Sequence, residues 1–229
     1  GKLFLTFKEK EELVKNYPES QKFIKKLVGS AEFIRGIEQW CIWIEDAKIE
    51  EARKVPEVKR RLDLVSEWRL KSKAPSTVEF AKYPNKFKQI TYRNTTAILV
   101  PRVSSERREY IPCGFLDADM VILDSAQAIY DAEPWIFGVI SSRMHMTWVR
   151  AVAGRLKTDY RYSSALCYNT FPIPNLTTKQ KEELTRHVYT ILEEREKHSE
   201  KTMAQLYDPE KMPEGLREAH HFLDQAVER

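Results

Sequence analysis

Apolar positions along this chain follow two different rhythms, and the rhythm changes near Pro174. Before it, short runs of β-branched and aromatic residues are separated by polar turns. After it, apolar residues fall three and four apart, the spacing of helices that cover a core with one face. Ile37-Glu-Gln-Trp-Cys-Ile-Trp-Ile44 predicts a mostly buried strand. Further strands are predicted at 87–93, 96–103, 109–116, 119–124, 127–130 and 164–169. Short amphipathic helices are expected within 8–28, broken near Pro18, then at 46–54 and 56–72, the last opened by Pro56. Pro134 opens a long helix to about Ala153, stopped by Gly154. Its apolar stripe is Ile136, Ile140, Met144, Trp148 and Val152, with Arg143, Thr147, Arg150 and Gly154 opposite.

In the last part of the chain, Thr177 and Gln180 have the spacing of a capping box, in which each side chain bonds the other's backbone. Leu184, Val188, Ile191 and Leu192 supply an apolar stripe, and a last helix after Pro213 carries Leu216, Ala219, Leu223 and Ala226 on one face. The fold class is therefore α+β. A recognition domain of mixed or antiparallel sheet with packed helices is expected over 1–174, followed by a helical C-terminal extension over 175–229.

With 229 residues, the chain can bury roughly 70% of its unfolded surface and needs no disulfide or metal to hold a core. Cys41, Cys113 and Cys167 are odd in number, with no CxxC pair, which argues against zinc and for a reducing cytoplasm. No apolar run approaches the ~18 residues of a membrane span, and the first residues lack the pattern of a signal peptide. The opening Gly1, in place of an initiator Met, points to a piece of a longer protein.

Charge changes the picture more than composition does. Arg53–Pro112 holds 15 Lys and Arg against 6 Asp and Glu, a net of +9. Cys113–Ser142 holds five acids and no Lys or Arg, and Arg143–Arg161 returns to +4. After Pro174 the balance is slightly acidic, 9 bases against 12 acids. A basic centre with neutral or acidic flanks is the footprint of a surface for a polyanion.

The densest chemistry lies in Arg102-Val-Ser-Ser-Glu-Arg-Arg-Glu-Tyr-Ile-Pro112, expected as a strand-to-strand turn with three arginines, two glutamates and two serines. An exposed turn whose charges pair with each other gains only about 0–1 kcal/mol per pair, so stability is a weak reason for that density. Arginine can clasp guanine O6 and N7, and glutamate can accept from cytosine N4. Arg102, Ser104, Ser105, Glu106, Arg107 and Arg108 are therefore candidate DNA contacts. A second stretch, Arg155-Leu-Lys-Thr-Asp-Tyr-Arg-Tyr-Ser-Ser164, offers Arg155, Lys157, Arg161, Ser163 and Ser164 to phosphate oxygens and Tyr160 or Tyr162 to stack or donate. The same stretch also reads as a strand whose tyrosines alternate into the core, leaving Arg161 outside. Arg143 and Arg150, seven apart on one helix face, suit a phosphate clamp or a solvated face equally. Lys71, Lys73, Ser76 and Thr77 form a basic polar loop suited to the backbone. Trp40, Trp43, Trp135 and Trp148 sit in apolar runs and are assigned to the core, and His220-His221 to surface or packing.

No glycine-rich cofactor loop follows a strand, no P-loop is present, and no His, Cys, Asp or Glu spacing marks a metal site. The chain also lacks an Asn-Pro-Pro-aromatic tetrapeptide and any nucleophile-base constellation. Chemistry on a nucleic acid is not expected of these residues. RNA binding by the same basic and aromatic surface, or a protein-interaction scaffold built on the C-terminal helices, are the other readings.

With Arg102–Pro112, Tyr160-Arg-Tyr-Ser-Ser164 and Tyr168-Asn-Thr-Phe-Pro-Ile-Pro174 in view, the chain resembles the C-terminal part of MmeI-like DNA methyltransferases, which are single-chain restriction-modification enzymes. The likeness extends to Ala204-Gln-Leu-Tyr-Asp-Pro209, Met212-Pro-Glu-Gly-Leu216 and Ala219-His220. Phe171-Pro-Ile-Pro174 before a capped helix is also similar to the join after the recognition domains of restriction specificity subunits. The resemblance implies a target recognition domain over about 1–174, a helical C-terminal region over 175–229, and double-stranded DNA as partner. It also implies a prokaryotic cytoplasmic parent whose separate methyltransferase domain binds S-adenosylmethionine and methylates adenine N6, while this chain carries no cofactor. By position, Glu106, Arg107, Arg108 and the 71–77 loop are then the base-reading candidates.

Overall fold

A computed structural model describes residues 1–88 and 91–229. The chain forms two compact units. One comprises Gly1–Val28, Glu38–Tyr92 and Asp119–Val121, and the other Gly29–Ile37, Arg93–Ala118 and Ile122–Arg229.

In the first unit the predicted apolar run becomes the strand Gln39–Ile42, flanked by Phe4–Thr6 and Ile24–Val28. Both pairings are antiparallel, with Cys41 opposite Phe4 on one side and Lys25 on the other. Thr6 ends its strand and caps the helix Phe7–Asn16 in a capping box with Glu9. Pro56 opens the helix Pro56–Leu70, which buries Val58, Leu62 and Val65, each contributing roughly 1.5–3 kcal/mol. These residues join Leu5, Leu13, Phe23, Ile42, Ile44, Ala52 and Val55 in one core. Arg61 ties the helix to the first strand. It donates to the carbonyl oxygens of Lys2 and Phe4 at 3.1 and 3.2 Å and pairs with Glu9 at 2.8 Å.

In the second unit Ala97–Pro101, buried at every position, is the centre of an antiparallel sheet between Gly114–Leu116 and Ala126–Tyr130. Gly114 is required at its place because a Cβ there would collide with the Phe33 ring. The capping box at Thr177 forms as expected and starts the helix Thr178–Glu196. This helix and Glu214–Val227 bury Leu184, Val188, Ile191, Leu216, Ala219 and Leu223 in the same core as Ile98, Val100 and Phe137. Gly138 allows the helix Pro134–Ile140 to approach them closely: a Cβ there would stand 3.1 Å from Val188 and 3.2 Å from Leu223.

Several expected elements differ. Within 8–28 the chain forms one helix, a 3-10 turn at Pro18–Phe23 and then the strand Ile24–Val28. The predicted 87–93 strand is absent at 87, 88 and 91–93, while residues 89 and 90 lie outside the described residues. Pro75 turns the end of the 71–77 loop into a short helix, Pro75–Glu79. The predicted 109–116 strand is extended only from Gly114. The 134–153 helix is two helices, Pro134–Ile140 and Arg143–Val152. Ser142 breaks it: its hydroxyl donates to the Val139 carbonyl and accepts from the His145 N–H. The buried face of the second helix is accordingly His145, Met146 and Val149, and Met144 is exposed. Residues 164–168 form a wide helical turn closed by Asn169 N–H to Ser164 O at 2.8 Å, in place of a strand.

Candidate nucleic-acid interface

The charged turn and the second basic stretch meet in the second unit. Gly154–Leu156 and Asp159–Arg161 make a hairpin whose two-residue tip is Lys157-Thr158, and Val103–Ser104 joins as the third strand. The strand order places Tyr160 between Arg155 and Ser104, and Arg161 opposite Val103. Lys157 takes a φ of +57°, a left-handed conformation that a tight hairpin tip demands and that costs a non-glycine residue about 1–2 kcal/mol. The tip therefore carries an exposed lysine at a defined backbone position.

The side chains of this sheet fall into two groups. Arg161, Lys157 and Ser164 are exposed and their side chains make no bond to protein among the described residues. Arg155 lies over the Tyr160 ring at 3.9 Å, donates to the Thr158 carbonyl at 2.7 Å, and stands 3.5 Å from Glu106. Arg107 pairs with Glu210, both well exposed, an attachment weak enough to be exchanged for another acceptor. Arg108 is half-buried. Its guanidinium donates to Ser104 Oγ at 3.5 Å, and burial holds its pKa below the ordinary arginine value, partly offset by Asp159 and Asp208.

Behind the turn lies a buried polar chain. Arg195 donates to the Cys113 carbonyl at 2.8 Å and to Tyr207 Oη at 2.8 Å. That hydroxyl also lies 2.8 Å from His220 Nε2, and His220 Nδ1 is buried with no hydrogen-bond partner among the described residues. Burial, with the Arg195 charge beside it, holds His220 well below the usual imidazole range. Tyr110 stacks on His220 with ring centroids 4.1 Å apart, and its hydroxyl donates to Asp224 at 2.8 Å. Asp224 also accepts from the Arg143 backbone N–H at 2.8 Å. Burial raises the pKa of Asp224 and of Tyr110.

The 71–77 loop lies in the first unit. Lys71 and Lys73 are exposed, with no side-chain partner among the described residues. Ser76 and Thr77 already accept from Lys88 at 3.0 and 3.3 Å. Arg69, buried at the end of the Pro56–Leu70 helix, organises the stretch that follows. It donates to the carbonyl oxygens of Phe80, Tyr83 and Lys86 at 3.3, 2.6 and 2.6 Å, with its guanidinium 4.7 Å from the Phe80 ring centroid. Trp68, 64% exposed, adds a large ring to the surface of the same helix.

Three expected contacts do not reach the surface, among them Tyr160, buried in the centre of the three-stranded sheet. Ser104 is buried beneath Arg108, and Tyr162 turns inward to place its hydroxyl 3.0 Å from His145 Nε2. Alternation along the Arg161-Tyr162 segment sends the arginine out and the tyrosine in. Arg102 is spoken for by Asp124 at 3.1 Å, and Ser105 and Ser163 are partly exposed. Arg143 is drawn to Glu109, Tyr110 and Asp224, whereas Arg150 on the same helix is exposed and unpaired among the described residues. The four tryptophans assigned to the core are only half-buried. Of the two adjacent histidines, His220 is fully buried and His221 exposed. Sequence reasoning missed Tyr110, Arg217 and Asp224 as supports of the turn, because Tyr110 and Asp224 lie 114 positions apart and no local spacing links them. Among the described residues no group of three His, Cys, Asp or Glu side chains is placed to hold a metal ion, and no helix is long and apolar enough to cross a membrane.

The second unit thus combines an antiparallel sheet with a charged turn, a basic hairpin and packed C-terminal helices. The chain belongs to the MmeI family: its residues 1–175 match the MmeI target recognition domain and 176–229 the MmeI C-terminal domain. It is similar over its full length to DNA methyltransferase A of Bacillus subtilis (strain 168), at 45% identity, covering 26% of that protein. A solved structure of the type IIL restriction-modification enzyme MmeI in complex with DNA matches the whole chain with a TM-score of 0.95 and 41% identity, over 30% of the MmeI chain. The chain thus spans between a quarter and a third of these relatives.

Proposed function

We propose that this chain is the sequence-reading part of an adenine-N6 DNA methyltransferase of a restriction-modification system, acting on double-stranded DNA in a prokaryotic cytoplasm. Residues 1–174 form the recognition domain and 175–229 its helical support. The observation that carries the reading is the three-stranded sheet that brings the exposed Glu106 and Arg107 of the turn together with the hairpin of Lys157 and Arg161 and the adjoining Ser164. Its likeness to a DNA-bound relative adds weight. Exposed guanidinium and ammonium groups neutralise phosphates, while Glu106 and Arg107 offer the acceptor and the fork that base edges require.

S-adenosylmethionine would be bound by another part of the parent. In this chain the glycine that precedes a helix, Gly29, has its open side filled by Ser125 and Glu32, leaving no cradle for a nucleoside. No step of methyl transfer is assigned to these residues. Their contribution is grip and register: flipping a base costs a few kcal/mol, and contacts to the flanking duplex offset that cost.

Selection of bound duplexes from a randomised pool, followed by titration at several salt concentrations, tests the reading. One recovered motif is expected, with affinity that falls steeply as salt rises and with structured RNA a poor competitor. Recovery of no motif, or preference for RNA, would overturn it.

A further inference from the structure

Each of the four consecutive residues Arg107, Arg108, Glu109 and Tyr110 meets the same short part of the C-terminal region. Arg107 pairs with Glu210. Arg108 lines a small cavity with Tyr207, Asp208 and Pro209. Glu109 stands 3.7 Å from Arg217, which also donates to the Pro209 carbonyl at 3.0 Å. Tyr110 is bound to Asp224 and stacked on His220. A surface turn with four charged residues in a row has no intrinsic reason to hold one shape, since its own local pairs contribute little. Here the side chains of its second half each meet that one segment.

We infer that residues 204–224 of the C-terminal helical region are specificity-positioning elements: they fix the 104–110 turn so that Glu106 and Arg107 meet base edges in one register. Arg217 and the Tyr110–Asp224 bond do this without touching DNA. Arg217 joins Glu109 to the Pro209 turn, and Tyr110–Asp224 anchors the end of the turn to the Glu214–Val227 helix. Discrimination between similar sites thus depends on helices that read no base. A turn transplanted from a relative would bring its preference along only together with its matching 204–224 segment. The inference rests on the proposed DNA-reading role of the turn.

The test uses the full chain with labelled duplexes: the motif selected by the unaltered protein, its single-base variants, and an unrelated sequence. Arg217→Ala is expected to lower the affinity ratio between the motif and its single-base variants about tenfold, with binding to the unrelated duplex changed less than about twofold because phosphate contacts remain. Arg217→Lys, which keeps a cation near Glu109, is expected to retain most of the ratio. Tyr110→Phe removes a single oxygen and is expected to lower the ratio in the same direction; should Arg217→Ala fail to fold, it carries the test. A purely structural role would reduce the folded fraction and every affinity together, leaving the ratio untouched. Unchanged ratios in both variants overturn the inference while the DNA-reading role stands. If the unaltered chain selects no motif at all, the role itself is withdrawn and the inference with it.

Discussion

The turn at 102–110 and the loop at 71–77 are both basic, polar and exposed in sequence, yet they are supported in opposite ways. The turn is held by side chains up to 114 positions away, through a buried relay of Tyr110, Asp224, Tyr207 and His220. The loop is held locally, by Arg69 bonding the carbonyl oxygens that follow it and by Lys88 on Ser76 and Thr77. Base reading needs donors fixed to within a fraction of an ångström, whereas phosphate contact tolerates a lysine on a long stem. Under the proposed function, this contrast predicts sequence discrimination for the turn and sequence-independent grip for the loop.

The sharpest break of this contrast removes Asp224. Asp224→Ala leaves the Tyr110 hydroxyl and the Arg143 N–H without their buried acceptor, a loss of about 3 kcal/mol. Urea unfolding followed by hydrogen exchange should show the second unit alone destabilised. A loss below about 1 kcal/mol would mean that the relay is not what holds the turn.

Arg107→Ala comes next. It removes an exposed fork tied, among the described residues, only to Glu210, so folding should be untouched, while discrimination at one base pair falls by about 1–3 kcal/mol. Arg108, an equal candidate from sequence, is half-buried against Ser104, and burial lowers its pKa. Its removal is expected to disturb the turn instead of erasing one contact. Equal losses on all sequences from Arg107→Ala, measured by competition titration, would take base reading away from the turn.

Acid separates the two units further. All five histidines lie in the second unit. Burial lowers His145 from 6.5 to about 4, so its unfolded form binds the proton that the folded form refuses. Its contribution is present in full above pH 6.5 and is lost as pH falls from 6.5 toward 4, by at most about 1.4 kcal/mol per pH unit. Buried His220 acts in the same direction. In the first unit the Thr6 backbone N–H and Arg61 hold Glu9 down from 4.5 to about 2. That contribution persists to pH 4.5 and is lost only as pH falls below it. Hydrogen exchange between pH 6.5 and 5 should therefore show the second unit opening first. The reverse order would remove the buried histidines from the account.

What the sequence made legible follows the range of the forces involved. The C-terminal helices and the Thr177 cap were readable because period, cap and stripe are all local. The strand Ile24–Val28 was not, because Lys25 and Lys26 interrupt its apolar pattern; Lys25 is accommodated by Tyr92, whose hydroxyl accepts from its ammonium at 2.9 Å. The break at Ser142 was hidden by an apolar stripe that continues straight through it. For the interface, charge density exposed the turn and the hairpin, and strand pairing brought them together. Which arginines would face outward was beyond sequence, since Arg102 and Arg143 are claimed by the distant Asp124 and Asp224, and Arg108 is half-buried by the fold.

The smallest expected effect is the most diagnostic for the loop. Lys73 is exposed and makes no side-chain bond among the described residues, so Lys73→Ala should leave stability unchanged. If its role is phosphate neutralisation, affinity should fall a few-fold on every duplex alike, and the slope of log affinity against log salt should shrink by about 1. A change in motif preference would place the loop among the base readers and dissolve the division of labour drawn from its local support. No change in either affinity or slope would remove the loop from the interface, leaving the second unit to account for binding alone.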